Sequence, residues 1–426
     1  MAESVRARLS ELRREFHRHP EPGWCEFRTT ARLVEELRAI GVDELAVGPE
    51  AYDPDDRMAV PPEHRVETWY DRARDHGVDD DLLEQMAGGN TGVVAVLDRG
   101  EGPTVGLRVD IDGLFIEESD DGDHLPAAEG FRSETGETMH ACGHDAHMTW
   151  GLATVEAIKD SEFEGRLVAF FQPAEEVSGG GCPMAESQYA EGLDYLFAAH
   201  VGLDHPTGEV VAGIVRPLAM CHVEVTIEGT SAHAGKAPQD GDNAIQALGT
   251  AIGNVYGIPR HADGMTRVNV GRVEGGTASN IIAEGVEAIA EARGETTALM
   301  EYAKDELTKR FETAAEMHGC EADVTVASES PRADSDSELV DVVADIARET
   351  GGIDTVVPTA DFGASEDATF LMQRVQRDGG LATYLIVGTD HPTSHHTPTF
   401  DVDERSLEPG VEVLTNSILA VAEDGP

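Results

Sequence analysis

Strand-like apolar runs that each end in metal-binding side chains constrain this fold more than any other feature of the sequence. The runs are "PTVGLRV", "RLVAFFQP", "LDYLFAA" and "LATYLIVG". The side chains that follow them are Asp110, Asp112, Glu175, Glu176, His200, His391, His395 and His396. Helix-like segments alternate with such runs, which is typical of an α/β domain with a largely parallel sheet. Because ligands bind beyond the carboxyl ends of the strands, we expect these side chains to converge at one sheet edge.

The stretch "MHACGHDAHM" at positions 139–148 adds further metal-competent side chains. Cys142 and His144 form a Cys-x-His pair, which is a weak signal alone because one short stretch rarely supplies four ligands. Together with the strand ends, the pair predicts a metal site. Imidazole, carboxylate and one thiolate suit Zn²⁺, Mn²⁺, Co²⁺ or Ni²⁺. Five candidate ligands, one of them able to bridge, favour two metal ions.

Other histidines and acids in these segments have structural interpretations. We expect His147, one turn after His144, to pack in or cap its helix, and His391 to be an ordinary loop residue. We expect His17 and His19, in the first helical region, to be structural. Glu175 and Glu176 could be a solvated pair. They follow a buried-looking strand and a proline, however, where a charged side chain without a partner would cost free energy.

The order of predicted helices and strands along the sequence indicates that one domain is inserted in another. Residues 3–40 are predicted to form two helices broken at "HPEPGW", and residues 48–90 look like an insertion before the strand "TGVVAVLD". From Met220 the pattern becomes β-α-β-β-α-β, the order of a ferredoxin-like module. We therefore expect a catalytic domain over 1–218 and 330–426, and a smaller domain over 219–329.

The charge of the chain limits its environment and partners. The 426 residues include 82 acidic and 31 basic ones, a net charge of −51, and lysine occurs only at Lys159, Lys236, Lys304 and Lys309. The acid is spread along the whole chain, which we interpret as adaptation to a salty cytoplasm. Nucleic acid is an improbable partner. There is no long apolar run or signal segment, and the five cysteines are scattered, so we expect a cytoplasmic protein without a disulfide framework.

Motifs along nearly the whole chain resemble the M20 metallopeptidase and amidohydrolase family, in the branch of N-acyl-amino-acid and auxin-conjugate hydrolases. They are "LRVDIDGL", "MHACGHDAH", "FQPAEE", "AAHVG", "GTSAHAGKAPQDGDNAI", "GGTASNII", "GASEDAT" and "HHTPTFDVDE". The insertion and "SEDATFLMQRVQ" are most similar to the aminobenzoyl-glutamate hydrolases. Phe115 and Ala283 stand where the family commonly has proline.

The resemblance implies roles for individual residues. The implied metal ligands are Cys142, His144, Glu176, His200 and His396. Glu175 would be the general acid/base, and Asp112 would orient a ligand. In the inserted domain, His233 would reach the scissile carbonyl, while Asn280 and Arg293 would hold the substrate carboxylate. Arg293 could instead be a surface charge at a strand end.

The fold implied is a zinc-peptidase-like catalytic domain with a mostly parallel central sheet, plus a ferredoxin-like dimerisation or lid domain. The implied activity is that of a di-metal amidohydrolase. It would cleave an N-acyl amino acid or an aminobenzoyl-glutamate-like amide to a carboxylic acid and a free amino acid. A dipeptidase or carboxypeptidase of the same family, a catalytically silent metal-binding protein and a structural zinc site are the alternatives. We expect a homodimer, and whether a related second subunit is required stays open.

Overall fold

The computed structural model describes residues 3–423 and 425–426. The helices are α1 (Glu3–Arg18), α2 (Phe27–Ile40), α3 (Glu63–Asp75), α4 (Asp80–Gln85), α5 (Leu125–Glu129), α6 (His144–Lys159), α7 (Gly181–Glu186), α8 (Ala244–Val255), α9 (Thr297–Met317), α10 (Ser337–Glu349), α11 (Ala368–Arg377) and α12 (Leu407–Glu423). The strands are β1 (Glu44–Val47), β2 (Val93–Asp98), β3 (Thr104–Asp110), β4 (Arg166–Gln172), β5 (Tyr195–Val201), β6 (Glu209–Val215), β7 (Ala219–Glu228), β8 (Thr266–Gly275), β9 (Gly285–Gly294), β10 (Glu321–Ser330), β11 (Thr355–Asp361) and β12 (Leu381–Val387).

The chain divides into two compact units. Among the described residues, unit 1 comprises those up to Val215 with Ala333–Phe362 and those from Asp367 onwards. Unit 2 comprises Arg216–Arg332 and Gly363–Glu366. Unit 2 is therefore inserted in the sequence of unit 1.

Unit 1 contains an eight-stranded sheet in the order β1-β2-β4-β3-β5-β12-β6-β11. The four neighbouring strands β4, β3, β5 and β12 run parallel to one another. Strand β2 is antiparallel to both β1 and β4, and β6 is antiparallel to β12. The predicted parallel sheet thus describes the middle of a sheet that is mixed as a whole.

Helices cover both faces of this sheet, so its central strands are buried along nearly their whole length. In β4 and β5 every residue after the first is buried. One hydrophobic cluster contains side chains of α1, α2, α6 and α12, and a second contains side chains of α7 and α11. Burial on both faces explains why these strands are continuous apolar runs in the sequence, without alternation.

Unit 2 has the predicted ferredoxin-like order. Its antiparallel sheet runs β10-β7-β9-β8, and buried residues of α8 and α9 pack in one cluster with those of the sheet. Buried and more exposed residues alternate along β7 from Cys221 to Glu228. This alternation is expected of a sheet with one covered face.

The N-terminal region confirms two predicted helices and adds a strand that was not predicted. Strand β1 has only four residues, too few for a periodic signal. The insertion follows β1 directly, and α3 and α4 lie within it before β2 begins. None of the described helices is both long and apolar enough to span a membrane.

A buried ion cluster holds α1 against the start of α6. Arg13 is fully buried, and its Nε donates to Asp145 Oδ2 at 2.7 Å. Its Nη2 donates to Asp401, and His17 Nδ1 lies 2.8 Å from the same Asp145 oxygen. Burial opposes the charge on Arg13, but the carboxylates of Asp145 and Asp401 raise its pKa above the ordinary value. The cluster confirms the structural interpretation of His17.

Removing the buried cation should destabilise the chain far more than removing an exposed cation from the same helix. Arg13→Met removes the cation that Asp145 and Asp401 share and leaves only His17 beside Asp145, so the free energy of unfolding should fall by about 3–5 kcal/mol. The matched control is Arg8→Met, because Arg8 is exposed and pairs with Glu156 at 2.7 Å between the same two helices. That change should cost less than about 1 kcal/mol. Urea unfolding of the metal-free variants measures both, and equal losses would contradict the role of the cluster.

Candidate metal centre

The parallel strands β4, β3, β5 and β12 bring the predicted ligands to one edge of the unit 1 sheet. Asp112 follows β3, and Glu175 lies in a short 3-10 turn that follows β4. His200 is the penultimate residue of β5 itself, not part of the loop after it. His396 lies in the loop after β12, and Cys142 and His144 lie where α6 begins.

The ligand-capable atoms of six residues form overlapping groups. Cys142 Sγ lies 3.4 Å from His200 Nε2, and Glu176 Oε2 lies 3.4 Å from His396 Nε2. His144 Nε2 lies 3.8 Å from Glu175 Oε2 and 3.8 Å from Glu176 Oε1. Atoms within 4.8 Å of one another form the groups Cys142–His144–His200, Cys142–Glu176–His396 and His144–Glu175–Glu176. Each group offers the nitrogen, oxygen or sulfur donors that transition metals bind.

Unusual backbone conformations position these side chains. Gly143 has a left-handed φ of 87°, and a Cβ at this position would collide with Val201 Cγ1. Ala174 (φ 56°) and Ser178 (φ 51°) flank the turn that carries both glutamates, and His396 has φ 61°. Left-handed non-glycine residues are uncommon and tend to cluster at functional sites.

Hydrogen bonds orient the rings so that Nε2 faces the group of donors. His144 Nδ1 donates to the Asp112 backbone carbonyl at 2.9 Å and lies 3.2 Å from Asp112 Oδ1. His200 Nδ1 donates to the Val201 carbonyl at 2.8 Å. In a neutral imidazole this leaves a lone pair on Nε2. The second oxygen of Asp112 accepts from the backbone N–H of Glu176 at 3.1 Å, so one carboxylate orients two of the candidate ligands.

Two polar atoms at the centre of the site are buried without a hydrogen bond. They are His144 Nε2 and Glu176 Oε1. Burying such atoms unsatisfied is costly, and a cation between them would satisfy both. The residues present therefore fit a metal ion.

The electrostatics of the site favour positive charge. Burial opposes protonation of His144, but Asp110, Asp112 and Glu176 raise its pKa to about 10. Burial raises the pKa of Glu176 against the opposing effect of His144, and Asp112 and Asp110 raise it further. Burial, with His147 and His395 beside it, holds the pKa of His200 well below the ordinary value. A neutral His200 and an excess of buried carboxylate form a site suited to a cation.

Three further histidines make contacts with other groups of the protein. They are His147, His391 and His395. His147 Nε2 accepts from the Val201 N–H at 2.8 Å while its Nδ1 bonds Asp110, so both ring nitrogens are occupied. This confirms the structural interpretation of His147. His391 Nδ1 bonds the Thr393 carbonyl, as expected for a loop histidine. His395 Nε2 lies 3.3 Å from the Val201 carbonyl.

Unit 2 carries the three predicted substrate residues. His233 is exposed and forms an isolated bridge with Ile281, and the N–H of Ala234 donates to the Asn280 carbonyl at 3.0 Å. Arg293 lies near the far end of β9, where its Nη2 is 3.1 Å from Glu291 Oε2. Within unit 2 the structure brings His233 and Asn280 together and leaves Arg293 apart from them.

One supporting segment, Pro20–Trp24, was predicted only as a break between two helices. Trp24 is fully buried with a left-handed φ of 62°. Its Nε1 donates to the Met58 carbonyl at 2.7 Å. Pro22 forms a parallel bridge with Gly113, next to Asp112. The proline and glycine around this tryptophan signal a turn, but no sequence rule assigns a bulky residue to the left-handed region.

Comparison with known proteins agrees with this geometry. Residues 106–420 match peptidase family M20/M25/M40. The chain is 36% identical over 415 residues to the indole-3-acetyl-aspartic acid hydrolase of Enterobacter agglomerans, covering 96% of this chain and 95% of that protein. It is 35% identical over 420 residues to one of the subunits of the p-aminobenzoyl-glutamate hydrolase of Escherichia coli, covering 98% of this chain and 96% of that one.

Solved structures share the fold. The aminobenzoyl-glutamate utilization protein from Klebsiella pneumoniae has a TM-score of 0.85 and 31% identity, covering 99% of this chain and 98% of that one. A dinuclear metal-binding peptidase of the M20 family from Bacillus subtilis has the same fold, with a TM-score of 0.68, 23% identity and 99% of each chain covered. The match over residues 106–420, with identities of 35–36% across nearly the whole chain, shows that this protein belongs to peptidase family M20/M25/M40, as its motifs predict.

Proposed function

We propose that this protein is a di-metal amidohydrolase that cleaves an N-acyl amino acid or an aminobenzoyl-glutamate-like amide into a carboxylic acid and a free amino acid. The observation that carries the proposal is the group of buried donors in which His144 Nε2 and Glu176 Oε1 have no hydrogen bond. Family members 35–36% identical to the chain are named as hydrolases of such amides. A dipeptidase or carboxypeptidase would use the same residues and differ in substrate alone.

In this proposal Cys142, His144, Glu176, His200 and His396 hold two divalent ions. Mn²⁺ or Zn²⁺ suits this mixture of donors best, and Co²⁺ or Ni²⁺ would also fit. When bound, such ions polarise the amide carbonyl and make a water molecule more acidic. Asp112 supports the site by bonding both the ring of His144 and the backbone of Glu176.

Glu175 acts as the general acid/base. Its carboxylate lies in the same short turn as Glu176 and 3.8 Å from His144 Nε2, at the border of the ligand group. It accepts a proton from the attacking water and delivers that proton to the leaving amide nitrogen. Glu176 also lies 3.4 Å from His396 Nε2, which assigns it to the ligands and leaves Glu175 for proton transfer.

His233 donates a hydrogen bond to the carbonyl oxygen as negative charge develops there. The N–H of Gly235 donates to His233 Nδ1 at 3.2 Å, so the proton of the neutral ring resides on Nε2. That proton is directed away from the backbone and is available to a substrate. A donor whose tautomer is fixed in advance stabilises an oxyanion more effectively than one that must reorganise.

The substrate site is completed by two copies of unit 2. At about 3.4 Å per residue, the distance along β9 from Gly285 to Arg293 is about 27 Å. The pair formed by His233 and Asn280 lies beyond the Gly285 end. One N-acyl amino acid cannot reach both this pair and Arg293 on the same chain. His233 and Asn280 from one copy and Arg293 from another could meet a single substrate.

Unit 2 also has surfaces suited to pairing with a second copy. Strand β8 is an edge strand whose Val273 is 54% exposed. Ile245 in helix α8 and Tyr256 directly after it are exposed, and there is open space over Gly249 and Gly253 between them. An open edge and a face with small residues allow close approach of identical backbones. We therefore propose a homodimer; the Escherichia coli relative is named as one subunit of its enzyme, so a related partner chain is the alternative.

The proposed setting is a reducing, salt-rich cytoplasm. No disulfide bond joins any of the five cysteines, which are Cys25, Cys142, Cys182, Cys221 and Cys320. With a net charge of −51, the acidic side chains repel one another in dilute buffer, and salt screens this repulsion. Assays therefore belong in molar KCl.

Replacing each glutamate by glutamine should separate the base from the ligand. Glu175→Gln should retain metal and lose turnover by roughly 100-fold or more, the contribution of a general acid/base. Glu176→Gln should lose metal as well, because it removes a charged donor from the centre of the group. Metal analysis and amide hydrolysis of the two variants decide the point. Equal metal loss in both would contradict the assignment.

Mixed dimers should recover activity if His233 acts on the neighbouring chain. His233→Ala and Glu175→Gln chains are each expected to be inactive. After the chains exchange partners, one site of a mixed dimer carries both changes and the other carries neither, so up to half of the sites regain wild-type activity. If His233 served its own chain, every site would retain one change. No recovery after verified exchange would contradict the shared site.

A further inference from the structure

Four large hydrophobic side chains of unit 1 remain exposed, and one of them directly follows the candidate ligand Glu176. Among the described residues of unit 1 they are Val60 at 43%, Phe115 at 51%, Leu125 at 45% and Val177 at 39%. Every other phenylalanine in the described part of the chain is buried or half-buried. We call Val60, Phe115 and Val177 the apolar rim.

One backbone segment, Pro20–Trp24, connects the three parts of the apolar rim. Pro22 forms the bridge with Gly113, two residues before Phe115. Gly23 packs so closely that a Cβ there would lie 3.3 Å from Val177 Cγ2. Trp24 Nε1 donates to the carbonyl of Met58, two residues before Val60. The segments that carry these three side chains are distant in sequence and therefore meet at one short turn.

The same contacts attach the apolar rim to the proposed catalytic residues. Val177 directly follows Glu176 in the 3-10 turn, and Phe115 comes three residues after Asp112. The N–H of Met58 donates to the Gly179 carbonyl at 3.3 Å, which joins the insertion to the end of that turn. An apolar surface so close to the reacting groups would be in contact with the substrate.

The backbone around the apolar rim is held in uncommon conformations. Trp24, Ala59, Ala174 and Ser178 all have left-handed φ values between 49° and 62°. Such residues cost free energy and persist where the surrounding structure fixes them, often for function. Exposed apolar side chains next to such residues do not increase the stability of the fold, which indicates a functional reason for their position.

The chemistry of the apolar rim is aromatic and cationic. The guanidinium carbon of Arg65, an exposed residue of α3, lies 5.2 Å from the ring centroid of Phe115. This cation–π contact fixes the ring while half of it remains open to solvent. A planar aromatic group can stack on the open part of such a ring, with centroids about 4.5–7 Å apart.

We infer that the apolar rim is the subsite for the acyl half of the substrate and that it selects a planar aromatic acyl group over a short aliphatic one. The inference rests on the proposed amide hydrolysis. An acetyl group has no ring to stack on Phe115, whereas an aromatic acyl group can stack there and remove apolar surface from water. Because Val60 and Arg65 both belong to the insertion, the insertion supplies part of this selectivity.

Two substrates that share one amino acid isolate the acyl group. They are N-(4-aminobenzoyl)-L-glutamate and N-acetyl-L-glutamate, assayed with the metal-loaded protein in molar KCl. Phe115→Ala should lower kcat/KM for the aminobenzoyl substrate by about tenfold or more and that for the acetyl substrate by less than about twofold. Phe115→Tyr should restore the aromatic preference. The control is Leu125→Ala, similarly exposed but outside the apolar rim, which should change neither value.

Binding of 4-aminobenzoate, followed by calorimetry, keeps this inference separate from the proposed function. The Kd should rise by about tenfold in Phe115→Ala and stay unchanged in Leu125→Ala. If the wild type hydrolyses neither substrate, the proposed function fails while the binding result still decides the role of the rim. Equal losses for both substrates in Phe115→Ala, or an unchanged Kd, would overturn the inference.

Discussion

The constraint on which the rest of this structure depends is a group of carboxylates and imidazoles, most of them buried, whose donor atoms suit a cation. Parallel strands and the start of α6 bring these groups to one edge of the sheet, and two of their atoms, His144 Nε2 and Glu176 Oε1, lack a hydrogen bond. A cation bound between them would offset the free-energy cost of burying them unsatisfied. Metal affinity and the stability of this edge should therefore be coupled.

Much of the surrounding structure keeps the donors in place. Asp112 orients His144 and the backbone of Glu176, and Asp145, the next residue after His144, is bonded by the buried Arg13. His147 fills the space between Asp110 and the end of β5. Left-handed residues flank the turn that carries Glu175 and Glu176 on both sides. Polar networks and local strain that would be costly elsewhere are concentrated where precise placement has chemical value.

The sequence predicts the parts of this fold that follow from periodicity and from strand ends. Runs such as "RLVAFFQP" predict buried strands, and the polar residue types after them predict the metal edge. The short strand β1 and the antiparallel edge strands depend on long-range pairing, which local pattern does not encode. The left-handed Trp24, its hydrogen bond to Met58 and the bridge between Pro22 and Gly113 also depend on tertiary packing. Phe115 was visible as a departure from the family, but only the structure shows that its ring is exposed and in contact with Arg65.

The most direct test of this account is the metal content of the purified chain. After reconstitution with Mn²⁺ and removal of free ions, elemental analysis should find two ions per wild-type chain. His200→Ala and His396→Ala should each bind fewer, since each removes a donor from a different group. A chain that retains no stoichiometric metal, or the same metal content in all three proteins, would contradict the proposed centre.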